Sequence, residues 1–186
     1  MKTVSYQDFG PAFVDEAVTP ARIETAVTTI AGSEIAVGPM GVGPGDAASV
    51  VAKGTIAAPT ARQTAPQPDG ARRFIVSIPV ELKLSVKVAG TVHRFEATIV
   101  ARLHLMVRTA VDPLSIVIDT APPEVFDMEV EVRSSGITAK VLGRLGNIDA
   151  KIRKEVVRFI SERLHAPDAR AATMIEIGPH IDAVWK

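Results

Sequence analysis

The 186-residue chain has no cysteine. Disulfides, thiolate metal sites and cysteine nucleophiles are thereby excluded, and the absence fits a reducing compartment. Charge of one sign is lacking as well. Lys+Arg and Asp+Glu both number 21, so the formal net charge is zero. No bulk field is present to hold nucleic acid. No run of eighteen or more apolar residues occurs, so no helix is expected to span a membrane. The opening Met-Lys-Thr-Val-Ser-Tyr-Gln-Asp has no apolar core of a secretory signal. A cytoplasmic location is the expectation. Catalytic signatures are missing too. There is no Gly-x-Ser-x-Gly. The glycine-rich 38–45 run lacks the Gly-Lys-Ser/Thr ending of a phosphate loop. His93, His104, His165 and His180 show no zinc-ligand spacing. No cofactor or metal is expected, and no enzymatic activity.

What is present is apolar and periodic. Hydrophobic residues make up 47% of the chain, enough for one domain with a real core. Phe74, Val76, Ile78, Val80, Leu82, Leu84, Val86 and Val88 take every even position, with Glu81, Lys83, Ser85 and Lys87 between them. Period two means a strand with one buried face. At about 3.3 Å per residue it extends roughly 50 Å. Ala89-Gly90 turns the chain. Phe95, Ala97, Ile99, Ala101, Leu103, Leu105 and Val107 then hold the opposite parity, so the pair forms one long hairpin. Pro79 has no N–H to donate, which predicts an edge position or a bulge there. Beyond Asp112-Pro113, Leu114, Ile116 and Ile118 predict a third strand. Beyond Ala121-Pro122-Pro123, Phe126, Met128, Val130 and Val132 predict a fourth.

The remaining segments supply a cover for this sheet. Residues 1–18 read as irregular because Gly10-Pro11 breaks the apolar turn of Phe9, Phe13 and Val14. Thr19-Pro20 reads as an N-cap with proline in the first turn. Ile23, Ala26, Val27 and Ile30 follow on one helical face, and Gly32 is the stop. Residues 38–45 read as loop, 49–57 as strand, and 59–72 as a mobile polar loop. Ile137, Val141, Leu145, Ile148, Ile152, Val156, Phe159 and Ile160 recur at threes and fours up to Pro167, predicting a long helix over 137–165. Thr173 to Ile177 is a possible closing strand. The expected fold is α+β, a long, strongly twisted antiparallel sheet rolled around a long C-terminal helix.

This order of elements, from the helix at Thr19 through the extended sheet to the helix Ile137-Thr-Ala-Lys-Val-Leu-Gly-Arg-Leu-Gly-Asn-Ile148 and on to Leu164, resembles the tubular lipid-binding superfamily. The resemblance implies acyl chains held between sheet and helix. It implies a non-catalytic binder, or carrier, of a lipid or other long apolar molecule. The groove candidates are Val80, Leu82, Leu84, Phe95, Ala97, Ile99, Ala101, Leu103, Leu105, Phe126, Met128, Val141, Leu145, Ile148 and Ile152. The plain alternative is that these residues are ordinary core. Ala97 and Ala101, small among larger neighbours, either leave room or permit close packing.

Lys140, Arg144 and Lys151 are the head-group candidates. They share one sector of the helix with Lys154 and Arg158, where an anionic head group or membrane surface would meet them. The same sector holds Glu155 and Glu162, so Lys151–Glu155 and Arg158–Glu162 also read as a solvated ion-paired face. Asp127, Glu129 and Glu131 share one strand face and read as a polar outer surface facing lysines on the neighbouring strand. Expected partners are a lipid or long apolar small molecule, with peripheral membrane contact and a homo-oligomer as further options, and no nucleic acid. Two other functions fit the pattern. One is an assembly protein that pairs through the long hairpin and helix. The other is an acyl-thioester enzyme of the hot-dog type, although there the wrapped helix comes early in the chain.

Overall fold

The computed structural model describes residues 3–65, 71–133, 148–167 and 173–185. Its centre is the hairpin of β4 (Arg72–Val88) and β5 (Thr91–Val111). The two pair from Val88↔Thr91 to Arg72↔Val107 without a slip. The turn is set by Ala89 (φ 47°) and Gly90 (φ 85°). Both are left-handed, as a two-residue turn that follows the strand twist requires. The alternation read from the sequence is the observed burial. Phe74, Val76, Ile78, Val80, Leu82, Leu84 and Val86 are at most 2% exposed. Opposite them, Phe95, Ala97, Ile99, Ala101, Leu103 and Leu105 are buried as well.

Each side of this hairpin is flanked by one long strand broken in the middle. On the β4 side, β2 (Ala48–Ile56) pairs along Val88 to Val80. Then β3 (Thr60–Gln63) pairs along Ser77 to Phe74. On the β5 side, β6 (Leu114–Ala121) pairs along Val111 to His104. Then β7 (Met128–Arg133) pairs along Ala101 to Glu96. The sheet is completed outside β2 by β1 (Glu34–Val42) and outside β6 by β8 (Met174–Glu176). All pairings are antiparallel, and the sheet curls strongly into a half-barrel.

The prolines explain the breaks. Ala57 N–H donates to the Pro79 carbonyl at 2.9 Å. Pro79 therefore turns its hydrogen-bonding side toward the interruption at 57–59, where its missing N–H deprives no strand of a partner. Pro79 is thus neither on an edge strand nor in a bulge of its own strand; the neighbouring strand yields instead. On the other flank, Pro122-Pro123 and a 3₁₀ turn, Val125–Asp127, separate β6 from β7.

Three segments differ from the sequence reading. Residues 1–18 are not irregular, because Tyr6–Ala17 forms helix α1. Ser5 caps it by accepting from the Asp8 amide at 3.2 Å, and Ser5 Oγ donates to Asp8 Oδ2 at 2.6 Å. Phe9 and Phe13 stack at 6.1 Å between centroids, across the Gly10-Pro11 step that reads as a break. The 38–45 run is largely strand. Between Val37 and Met40 of β1, two residues oppose one on β2. Gly38, at φ 99°, allows this bulge, and a β-carbon there would lie 2.5 Å from the Val50 carbonyl oxygen. The 59–72 loop is interrupted by β3, so only part of it is loop.

Helix α2 (Pro20–Val27) is as expected, with Thr19 accepting from the Arg22 amide at 3.3 Å. It continues as a 3₁₀ turn, Thr28–Ile30, before Gly32 at φ 78°. The C-terminal helix is described from Ile148, as α3 (Ile148–Leu164); the predicted stretch 137–147 lies outside the described residues. Ile148, Ile152, Val156 and Ile160 form its buried stripe. Arg153 donates to the Met128 carbonyl at 3.0 Å and Lys151 to that of Gly41. A last helix, α4 (Gly178–Val184), follows β8.

Ala89 is the exposed non-glycine residue of the hairpin turn, and alanine gains nothing locally from a left-handed backbone. Ala89→Asn, which creates the preferred Asn-Gly pair, should raise stability by about 0.5–1 kcal/mol. Urea denaturation checks this: the midpoint should rise with the slope unchanged.

Candidate functional site

The groove candidates do not share one environment. Val80, Leu82, Leu84, Phe95, Ala97, Ile99, Ala101, Met128, Ile148 and Ile152 are closed core, all at most 6% exposed. The small residues among them serve close packing. Ala97 sits opposite Leu82 and Ala101 opposite Ile78. Gly54 is also opposite Leu82, and a β-carbon on it would collide with the Glu81 carbonyl. Leu103 and Leu105 differ from the rest, because they also line a cleft. Phe126 is not on the inward face at all. It lies in the 3₁₀ turn before β7 and is 82% exposed, because strand pairing starts only at Met128. Val141 and Leu145 lie outside the described residues.

The cleft measures about 610 Å³, within the range of roughly 300–1,000 Å³ usual for small-molecule sites. It sits toward the C-terminal end of α3. Its base is Ile56, Val76, Ile78 and Leu103, which are themselves almost fully covered. Its walls are the half-buried Val27 and Ile30 of the α2 segment, Ile118 of β6, and Phe159 and Leu164 of α3. Those walls come from elements the sequence identifies, although which of their residues converge depends on the curl of the sheet. In the sequence the signal was the unpaired apolar face of the first capped helix, 23–30.

The rim is polar. Arg22 Nη1 donates to the carbonyls of Glu16 at 2.6 Å and Ala17 at 3.0 Å, closing the last turn of α1. Arg163 lies over the Phe159 ring, 5.6 Å from its centroid. His165 Nδ1 pairs with the Ser161 carbonyl at 2.6 Å. Asp119 also lines the cleft, but it is held by Arg108. The hydrogen bonds from Arg108 keep the Asp119 carboxyl below the usual carboxylate range.

The head-group candidates do not gather at this rim. Lys151 is engaged with the Gly41 carbonyl and lies 3.3 Å from Asp46, near the other end of α3. Lys140 and Arg144 lie outside the described residues. Arg158 bonds Glu162 at 3.0 Å as expected and also Glu155 at 2.6 Å, so Glu155 pairs with Arg158 and not with Lys151, which turns to Asp46 instead. Two of the three acidic residues meet an arginine and a histidine rather than lysines. Glu129 meets Arg102 at 2.5 Å and Asp127 lies 3.6 Å from His104. Among the described residues, no cluster of three or more His, Asp or Glu gathers as for a metal ion. No helix among them is long and apolar enough to cross a membrane.

Compared with known proteins, the chain matches no family model and no curated protein.

The α1 side of the cleft depends on an ion pair. Asp15 accepts from Arg72 through both carboxylate oxygens. These hydrogen bonds hold the Asp15 carboxyl below its ordinary value. A lowered carboxyl contributes stability that is present above its unfolded pKa, about 3.9, and lost as pH falls through the folded value. Both groups are partly exposed, so the contribution is small. Asp15→Asn should lower the melting temperature slightly at pH 7, and the gap to the parent protein should close below about pH 4. Melting curves from pH 7 to 3 test this; a gap that persists unchanged at pH 3 would contradict it.

Proposed function

We propose that the protein is a non-catalytic binder, and possible carrier, of a lipid or other long apolar molecule. In this reading the sheet is rolled around the C-terminal helix and the ligand lies between them. The observation that carries it is the cleft of about 610 Å³ whose base and walls are mostly apolar, with polar side chains along the rim. Half-buried Val27, Ile30, Ile118, Phe159 and Leu164 gain burial if an apolar chain enters. Covering each further is favourable at about 25 cal/mol per Å². The resemblance to tubular lipid-binding proteins supports the same reading, as does the order of helix, long sheet and helix.

A second reading, as an assembly protein, is favoured by a different surface. Tyr6, Phe9 and Phe13 stand 101%, 58% and 37% exposed on α1. Ile181, Val184 and Trp185 are exposed at the C-terminus. Such apolar surface suits a protein partner, including a second copy, or the boundary of a membrane. The long hairpin itself offers little to a partner, because both its sides are paired within the chain. Among the described residues, β1 presents the longest outer edge.

Native mass spectrometry of the freshly purified protein, followed by solvent extraction, separates the two. Binding predicts a species of small-molecule mass released on denaturation, or uptake from an offered lipid extract. An apo monomer with no uptake would refute it, and an obligate oligomer without ligand would favour assembly. Val27→Trp fills the cleft from a half-buried wall and should cut uptake at least tenfold with the fold retained. Ala101→Trp instead overpacks closed core and should cost about 1–3 kcal/mol or more in stability.

A further inference from the structure

Two arginines border the cleft with guanidinium donors that no described group takes up. Arg22 spends Nη1 on two α1 carbonyls. A guanidinium has five N–H donors, and among the described residues those on Nε and Nη2 of Arg22 have no recorded acceptor. Arg163 stacks on Phe159 and, among the described residues, makes neither a hydrogen bond nor an ion pair through its side chain. The nearby carboxylates are committed elsewhere. Asp119 is paired with Arg108, Glu162 shares Arg158 with Glu155, and Glu24 accepts the Ala61 amide at 2.7 Å. Both arginines line the same cleft as the aliphatic walls.

We infer that the ligand is an anionic amphiphile, with its aliphatic tail in the cleft and a carboxylate or phosphate head at Arg22 and Arg163. This rests on the reading of the cleft as a site for an apolar chain. A planar guanidinium fork matches the paired oxygens of such a head. The Phe159 ring keeps Arg163 at the boundary between tail and head, with its apolar stem along the wall and its charge outward. Arg22 is fixed independently by the end of α1. The head-group position therefore lies at the C-terminal end of α3, away from Lys151.

The test titrates the full chain with a long-chain fatty acid, the corresponding alkyl monophosphate, the corresponding alcohol, and inorganic phosphate. Either anionic amphiphile should bind at least tenfold tighter than the alcohol, and the ratio between the two identifies the head. Arg163→Gln should remove most of that preference, weakening the anionic ligands far more than the alcohol. Arg163→Lys should restore part of it. Because Arg22 also caps α1, its Gln variant is read only beside a circular-dichroism spectrum matching the parent. Equal binding of acid, phosphate and alcohol would overturn the anionic head and leave the apolar site standing. Binding of inorganic phosphate as tight as the alkyl phosphate would overturn the amphiphile. No binding of any chain would overturn this inference together with the apolar site.

Discussion

The constraint on which the rest of the structure depends is the unbroken apolar face of the β4–β5 hairpin. A strand residue has no choice of face once its neighbours are placed, since a slip of one residue would expose the whole set. From Phe74 to Val86 and from Phe95 to Val107, every inward residue is apolar and buried. Each such side chain is worth about 1.5–3 kcal/mol when covered. A two-stranded ribbon cannot cover itself. The flanking strands, the curl of the sheet and the buried stripe of α3 all answer that demand.

The breaks in the flanking strands follow from the same demand. A strand this long twists with a fixed hand, and its neighbours must bend to remain paired. β2 and β3 give way beside Pro79, where an interior donor is missing in any case. β6 and β7 give way at Pro122-Pro123. Both flanks then resume pairing in the same direction. The sheet thus keeps its hydrogen bonds with β4 and β5 at nearly full length while changing course twice.

How much of this was legible in the sequence differs by element. The hairpin was readable nearly to the residue, because period two over so long a stretch has no competing explanation. The cap at Thr19 was readable because cap chemistry is local. Helix α1 was not, since Gly10-Pro11 is a strong local break; Ser5 capping, the Phe9–Phe13 stack and the Asp15–Arg72 pair outweigh it. Strand β1 was hidden for another reason. Ile35 and Val37 share one parity, Met40 and Val42 the other, and only the bulge at Gly38 puts both pairs on a common face. The cleft was the least legible feature. Its lining comes from elements far apart in the chain, so of the described candidates only Leu103 and Leu105 belong to it.

Why the cleft lies where it does can be argued from α3. Its buried residues, Ile148, Ile152, Val156 and Ile160, advance by fours. At 3.6 residues per turn, each step rotates the stripe by about 40° around the helix, and such a row is inclined about 26° to the axis. A stripe of this kind cannot face one direction along its whole length. Near Ile148 and Ile152 it meets closed core. Past Ile160 the stripe ends, and Phe159 and Leu164 are left half-buried. At that end Val27 and Ile30 approach from the α2 segment and Ile118 from β6 without sealing the space. Three apolar surfaces then face one another across a gap that no described side chain fills, and Arg22 and Arg163 border it. The ligand we propose, an apolar chain ending in an anion, would meet both the gap and the arginines at once, whereas a wholly apolar ligand would meet only the first.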